Sequence, residues 1–171
     1  MQTETSLSKR IKRHVIGRTR SYFIACSPGF EALCAKELTS LALNVEQPTV
    51  IPGGVEFKGR LDDCYLANLN LRTANRILLR LDAFKASNFK QLEKRLAEIP
   101  WELYLSRQSA LNIHATVKHC RLYHTGAIEK RFRESISNGL PANAINDENG
   151  PDPTSPQQVF VRGIDDRFTV S

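Results

Sequence analysis

Between Ser21 and Phe84 the spacing of apolar residues switches repeatedly between two and three-to-four, and this constrains the fold more than any other feature. SYFIAC, residues 21–26, is an aromatic and aliphatic run that reads as a buried strand. Ser27-Pro28 then pairs a capping side chain with a ring suited to the first helical position. A helix is expected from Pro28 to about Leu41, with Phe30, Leu33, Cys34, Leu38 and Leu41 on one face. Asn44 to Ile51, and then Val55 with Phe57, read as two strands around Pro52-Gly53-Gly54, a tight turn where glycine supplies positive φ. From Leu61 the helical spacing returns, with Leu61, Tyr65 and Leu69 sharing a face and Asp62 and Asp63 favouring the N-terminal end.

The stretch NLRTANRILLRL, residues 70–81, has arginines four apart and could be one helix with a charged stripe. Thr73 and Asn75 are poor helix formers, and from Arg76 the pattern alternates, with Ile77, Leu79 and Leu81 opposite Arg76, Leu78 and Arg80. The expectation is a helix ending near Leu71 or Arg72, then a strand from about Asn75 to Ala83. The order strand, helix, strand, strand, helix, strand is the ferredoxin-like βαββαβ unit.

A second unit follows. Phe89, Leu92, Leu96 and Ile99 mark a helix that stops before Pro100, and Trp101 to Leu105 a short helical turn. Ala110 to Val117 alternates as a half-buried strand. Tyr123 to Ser137 is a helix with Ala127, Ile128, Phe132 and Ile136 on its apolar face and Lys130, Arg131 and Arg133 mostly opposite. Leu140 to Pro156 has the composition of a long surface loop. Val159 to Val161 is a strand, Gly163 to Asp166 a turn, and Phe168 to Val170 a strand that starts as the chain stops, as in a piece of a longer protein.

The net charge of +6 is uneven. Lys9, Arg10, Lys12, Arg13, Arg18 and Arg20 face only Glu4 before Tyr22, so residues 1–20 read as a basic, flexible arm on a nearly neutral body. Such an arm suits an anionic partner or serves as a solubilising tail. Cys34 and Cys64 fall on apolar helix faces, and His114, His119, Cys120 and His124 match no common zinc spacing, so no metal site is expected. No apolar run reaches bilayer length, no leader is apparent, and a cytoplasmic protein with reduced thiols is expected. Glycine-rich phosphate loops and a nucleophile elbow are missing, and no catalytic residue is assigned.

Two basic groups are candidates for phosphate. Arg72, Arg76 and Arg80 could form a stripe, or could pair with Asp62, Asp63 or Asp82. Lys118, His119, Arg121, His124, Lys130, Arg131 and Arg133 surround a strand–loop–helix corner where free backbone N–H groups add to the attraction, although Glu129 and Glu134 offset part of it.

SYFIACSPGFEALCAKEL, PGGVEFKG, YLANLNLRTANRILLRL and HCRLYHTGAIEKRF, in that order, resemble the N-terminal half of bacterial THUMP-containing RNA methyltransferases, nearest the group that methylates the guanine N2 amine of large-subunit ribosomal RNA. The resemblance implies an α+β chain with a ferredoxin-like domain over residues 21–84 and a THUMP α/β domain over 85–171. It implies structured RNA, ribosomal RNA foremost, as the partner, with no membrane. The catalytic domain, with its S-adenosylmethionine, would act in cis or in trans. The resemblance implies Arg72, Arg76, Arg121, His124, Thr125 and Lys130 as RNA-binding residues, and the basic corner adds Lys118, Arg131 and Arg133 to those expected. Two other readings are a protein-interaction adaptor and the RNA-binding module of a tRNA-modification enzyme.

Overall fold

The computed structural model describes residues 6–41, 43, 45, 47–106, 110–140 and 156–171. The chain divides into two units, residues 1–80 and 81–171. The loop expected from Leu140 to Pro156 lies almost wholly outside the described residues.

In the first unit, α1 (Ser6–Ile11) continues as a π-helical turn (Lys12–Ile16), so much of the basic segment is helical and none of it is buried there. Strand β1 (Arg20–Cys26) is central. It pairs antiparallel with β3 (Gly54–Gly59) on one side and β4 (Ala74–Leu79) on the other, and β2 (Thr49–Ile51) flanks β3. The order β2-β3-β1-β4 is that of the ferredoxin-like unit read from the sequence. Helices α2 (Glu31–Ser40) and α3 (Leu61–Asn70) lie against the sheet over a core of Tyr22, Ile24, Cys26, Cys34, Leu38, Val55, Phe57, Cys64 and Ala67.

Both helices depart from the expected faces. Helix α2 starts at Glu31, not Pro28, because Gly29 adopts φ +89° and the Phe30 N–H closes a turn onto the Ser27 carbonyl at 3.0 Å. Shifting the start leaves Phe30 and Leu33 about half exposed, at 49% and 48%. In α3 the expected apolar face points outward, with Tyr65 58% and Leu69 81% exposed, while Asp63, Cys64 and Ala67 face inward. The small residues let α3 approach the sheet. Asp63 turns in because its carboxylate accepts the Arg60 N–H at 2.7 Å and so caps the helix. The strand expected over residues 75–83 is two strands. Its first part is β4, and its end belongs to β5 (Asp82–Lys85) in the second unit's sheet.

Burial beside the Cys64 thiol pushes the Tyr22 phenol up to about 12. The fold therefore favours the protonated phenol, and stability falls as pH climbs from the unfolded value near ~10 toward 12. In urea melts at rising alkaline pH, Tyr22→Phe is expected to lose less midpoint than the parent across that window. Equal losses would contradict this.

The second unit holds a mixed sheet of order β5-β8-β7-β6. Strands β6 (Leu111–Lys118) and β7 (Gln157–Ile164) run parallel, and β8 (Arg167–Val170) lies antiparallel between β7 and β5. Strand β7 runs on through Ile164, so the turn is only Asp165-Asp166, both at positive φ, rather than Gly163 to Asp166. Helix α4 (Phe89–Ala97) is capped by the Asn88 side chain, which accepts the Gln91 N–H. A 3-10 turn (Trp101–Leu103) seats Trp101, 1% exposed, edge-on to Phe132 of α5 (Thr125–Gly139). One core cluster joins Leu92, Leu96, Trp101, Ile128, Phe132 and Ile136 to Ile113, Val159, Val161, Phe168 and Val170 of the strands. Among the described residues no helix is long and apolar enough to cross a membrane.

Candidate nucleic-acid interface

The three arginines of the first unit separate. Arg72 is exposed just after α3. Its N–H donates to the Glu37 carboxylate at 3.3 Å, and the Thr73 hydroxyl and N–H donate to the same oxygen at 2.7 and 3.1 Å. These bonds, the Thr73 hydroxyl foremost, hold the Glu37 carboxyl below its usual range and fix the junction between helix and strand. Arg76 is exposed on β4, opposite Ala25. Arg80 is 14% exposed, bonds Glu56 at 3.0 Å and covers the Phe23 ring at 4.4 Å. Glu56 is not among the aspartates that the sequence offers as partners. Asp82 pairs instead with Arg95.

In the second unit the structure brings Lys118, Arg121, His124 and Thr125 to the corner between β6 and α5. His119 there takes φ +53°. The Arg121 N–H donates to the Asp166 carboxylate at 2.7 Å, and the Arg121 Nε lies 3.5 Å from it. His124 packs against the exposed Tyr123 ring at 4.1 Å. The other expected cations are tied elsewhere along α5. Lys130 is 4.0 Å from Glu134, Arg131 pairs with Glu93 and lies over Phe89, and Arg133 donates to the Leu111 carbonyl at 3.2 Å.

A larger constellation emerges only with the register. Helices α4 and α5 take one face of the second sheet, whose buried positions are Ile113, Val159, Val161, Phe168, Val170 and Phe84. The alternate positions point the other way and are mostly exposed. Lys118, Ile164, Arg167 and Lys85 are partners in one cross-strand row over all four strands. The next row carries Thr116, Arg162, Thr169 and Ala83. After it come His114 and Phe160, with rings stacked at 5.0 Å and 17°, and then Asn112 and Gln158. The His114 Nε2 lies 2.5 Å from Gln158 Oε1, which fixes the ring.

These outward strand positions carry four cations and no carboxylate. Lys85, Lys118, Arg162 and Arg167 make no ion pair among the described residues. Carboxylates near the rim include Asp165 and Asp166 of the hairpin, beside His119 and Arg121 respectively, and Glu129 of α5, which accepts the Ala115 N–H at the free edge of β6 at 3.2 Å. A cationic sheet face with a ring stack can take phosphates on its guanidinium and ammonium groups and a base on its rings. Of its cations only Lys118 was anticipated from the sequence. The signal for Arg162 and Arg167 was their alternation with Val161, Gly163 and Phe168.

Residues 21–78 match the family model of the RlmL ferredoxin-like domain. The ribosomal RNA large subunit methyltransferase K/L of Aeromonas salmonicida is 37% identical over 68% of this chain and 16% of its own length. That of Psychromonas ingrahamii is 34% identical over 67% and 16%. The chain spans between 16 and 30% of the length of such curated relatives. The crystal structure of a predicted N6-adenine-specific DNA methylase from Listeria monocytogenes superposes over 90% of this chain and 40% of that one, with a TM-score of 0.76 at 24% identity, a likeness of fold.

Proposed function

We propose, since residues 21–78 belong to the RlmL ferredoxin-like domain family, that this chain is the RNA-binding front part of a longer methyltransferase. In this reading the second unit is a THUMP domain that holds structured ribosomal RNA, in the cytoplasm, for transfer of a methyl group to a guanine N2. The observation that carries it is the carboxylate-free outer face of the second sheet, with Lys85, Lys118, Arg162 and Arg167 beside the His114–Phe160 stack. The names of the relatives support the RNA half of the reading.

Neither sheet here is the doubly wound parallel type that binds a nucleoside cofactor at its strand ends. The residues present do not fit S-adenosylmethionine, which is assigned to the parent's catalytic domain, in cis or in trans. This chain's part is then positioning, which lowers a barrier by fixing geometry rather than by chemistry.

Binding to ribosomal RNA fragments and to transfer RNA across a salt series tests the reading. With residues 1–20 removed, affinity for ribosomal RNA hairpins is expected to persist, and log Kd to remain linear in log salt. Loss of all RNA affinity with the arm would overturn it, and preference for transfer RNA would move the substrate.

A further inference from the structure

The row order on the second sheet points to a finer division of labour, one that rests on the proposed RNA-binding role. We infer that the His114–Phe160 pair is a stacking platform for an unpaired RNA base, with Arg162 and the Lys118–Arg167–Lys85 row holding the phosphates that flank it. A loop, bulge or strand end, not a continuous duplex, is then what the second unit recognises.

Three observations carry this. First, the two rings are already parallel within 17° at 5.0 Å, and the bond from His114 to Gln158 holds the imidazole in that plane. The platform therefore needs no ordering when a base arrives. Second, β6 is an edge strand, so His114 is the outermost ring of the stack and is exposed, while Phe160 behind it is half-buried. A base added on the imidazole continues a stack that the sheet has begun. Third, the cations are graded. Arg162 is one row from the rings and the three-cation row is one further, steps of about 7 Å along a strand. Asn112 and Gln158 on the far side add amide groups that can pair with a base edge. A duplex hides its base faces, and a platform of this kind gains nothing from it.

The test uses the whole chain and two RNA hairpins of the same length and charge, one with ordinary loop nucleotides and one with an abasic loop. The parent is expected to bind the ordinary loop about ten-fold more tightly. His114→Ala should erase that preference while still binding the abasic hairpin as the parent does. Lys118→Ala should weaken both hairpins alike and keep the preference. A 2-aminopurine in the loop should be quenched by the parent and not by His114→Ala, a readout that a merely structural histidine would not move. If the parent binds both hairpins equally, or if His114→Ala keeps the preference, the platform is wrong while RNA binding stands. If neither hairpin binds, the proposed function itself fails.

Discussion

A chain carrying Lys85→Ala, Lys118→Ala, Arg162→Ala and Arg167→Ala together is expected to lose RNA affinity by roughly a hundred-fold or more at low salt, with its salt slope reduced by about three to four. All four side chains project from one sheet face, three in a single cross-strand row, so one strand of phosphates can meet them together. None is held in an ion pair among the described residues, so none must give up a carboxylate to bind. All four are exposed, and removing them leaves the core cluster untouched. The fold should survive, which a melting curve checks. Removing residues 1–20 takes away more charge, yet it should cost less affinity, because Lys9, Arg10, Lys12 and Arg13 lie along a helical segment with no buried residue to fix it. If the arm deletion costs more than the four substitutions, attraction by the arm outweighs the face.

Replacing Gly54 by valine should unfold the first unit. A Cβ at that position would stand 2.0 Å from the Ile24 carbonyl oxygen and 2.7 Å from two atoms of the Phe23 ring. The oxygen belongs to β1, which is paired on both sides, so backbone cannot retreat without opening the ladder to β3 or β4. The ring cannot simply rotate outward, because the Arg80 guanidinium lies over it and is fixed by Glu56. Overpacking against backbone costs more than the usual ~1–3 kcal/mol of an enlarged core residue, and a unit of this size has only about 5–15 kcal/mol in hand. Circular dichroism should show lost strand signal, and the urea transition of the first unit should move to very low denaturant or vanish. A parent-like melt would contradict the account of this strand pair. Even Gly54→Ala meets the same oxygen and should be strongly destabilised.

The sequence disclosed what depends on short-range spacing. The βαββαβ order, the seat of Trp101, the amphipathic β6 and the buried stripe of α5 all follow from residues a few positions apart, and the structure places them so. Orientation failed where a size rule competed with a geometric one. Cys64 and Ala67 face inward because α3 packs close, and the larger Tyr65 and Leu69 are left outside. The start of α2 failed because Pro28 suits a turn as well as a helix, and Gly29 decided for the turn. The strand through Leu81 failed because its alternation is shared by two strands of different sheets.

The candidate site was the least legible part, for a physical reason. Lys85 lies between the strand expected to end at Ala83 and the helix that Phe89 marks, and Arg162 and Arg167 flank the short strands expected at Val159 to Val161 and Phe168 to Val170. Nothing local places Lys118 in a row with residues at 85, 164 and 167. By contrast, Lys130, Arg131 and Arg133 cluster in the sequence, and yet each meets a different group along α5. Charge density along the chain was a poor guide to charge density on the surface, because a helix spreads neighbours around its axis while a sheet gathers distant residues.

A heteronuclear NMR titration of the labelled chain with the RNA that binds it most tightly reads the contacted face residue by residue. The largest shifts are expected at the outward positions of β6, β7, β8 and β5, His114, Phe160, Arg162 and Arg167 above all, with α3 spared. Shifts confined to the arm or to the first unit, with the second sheet silent, would contradict it.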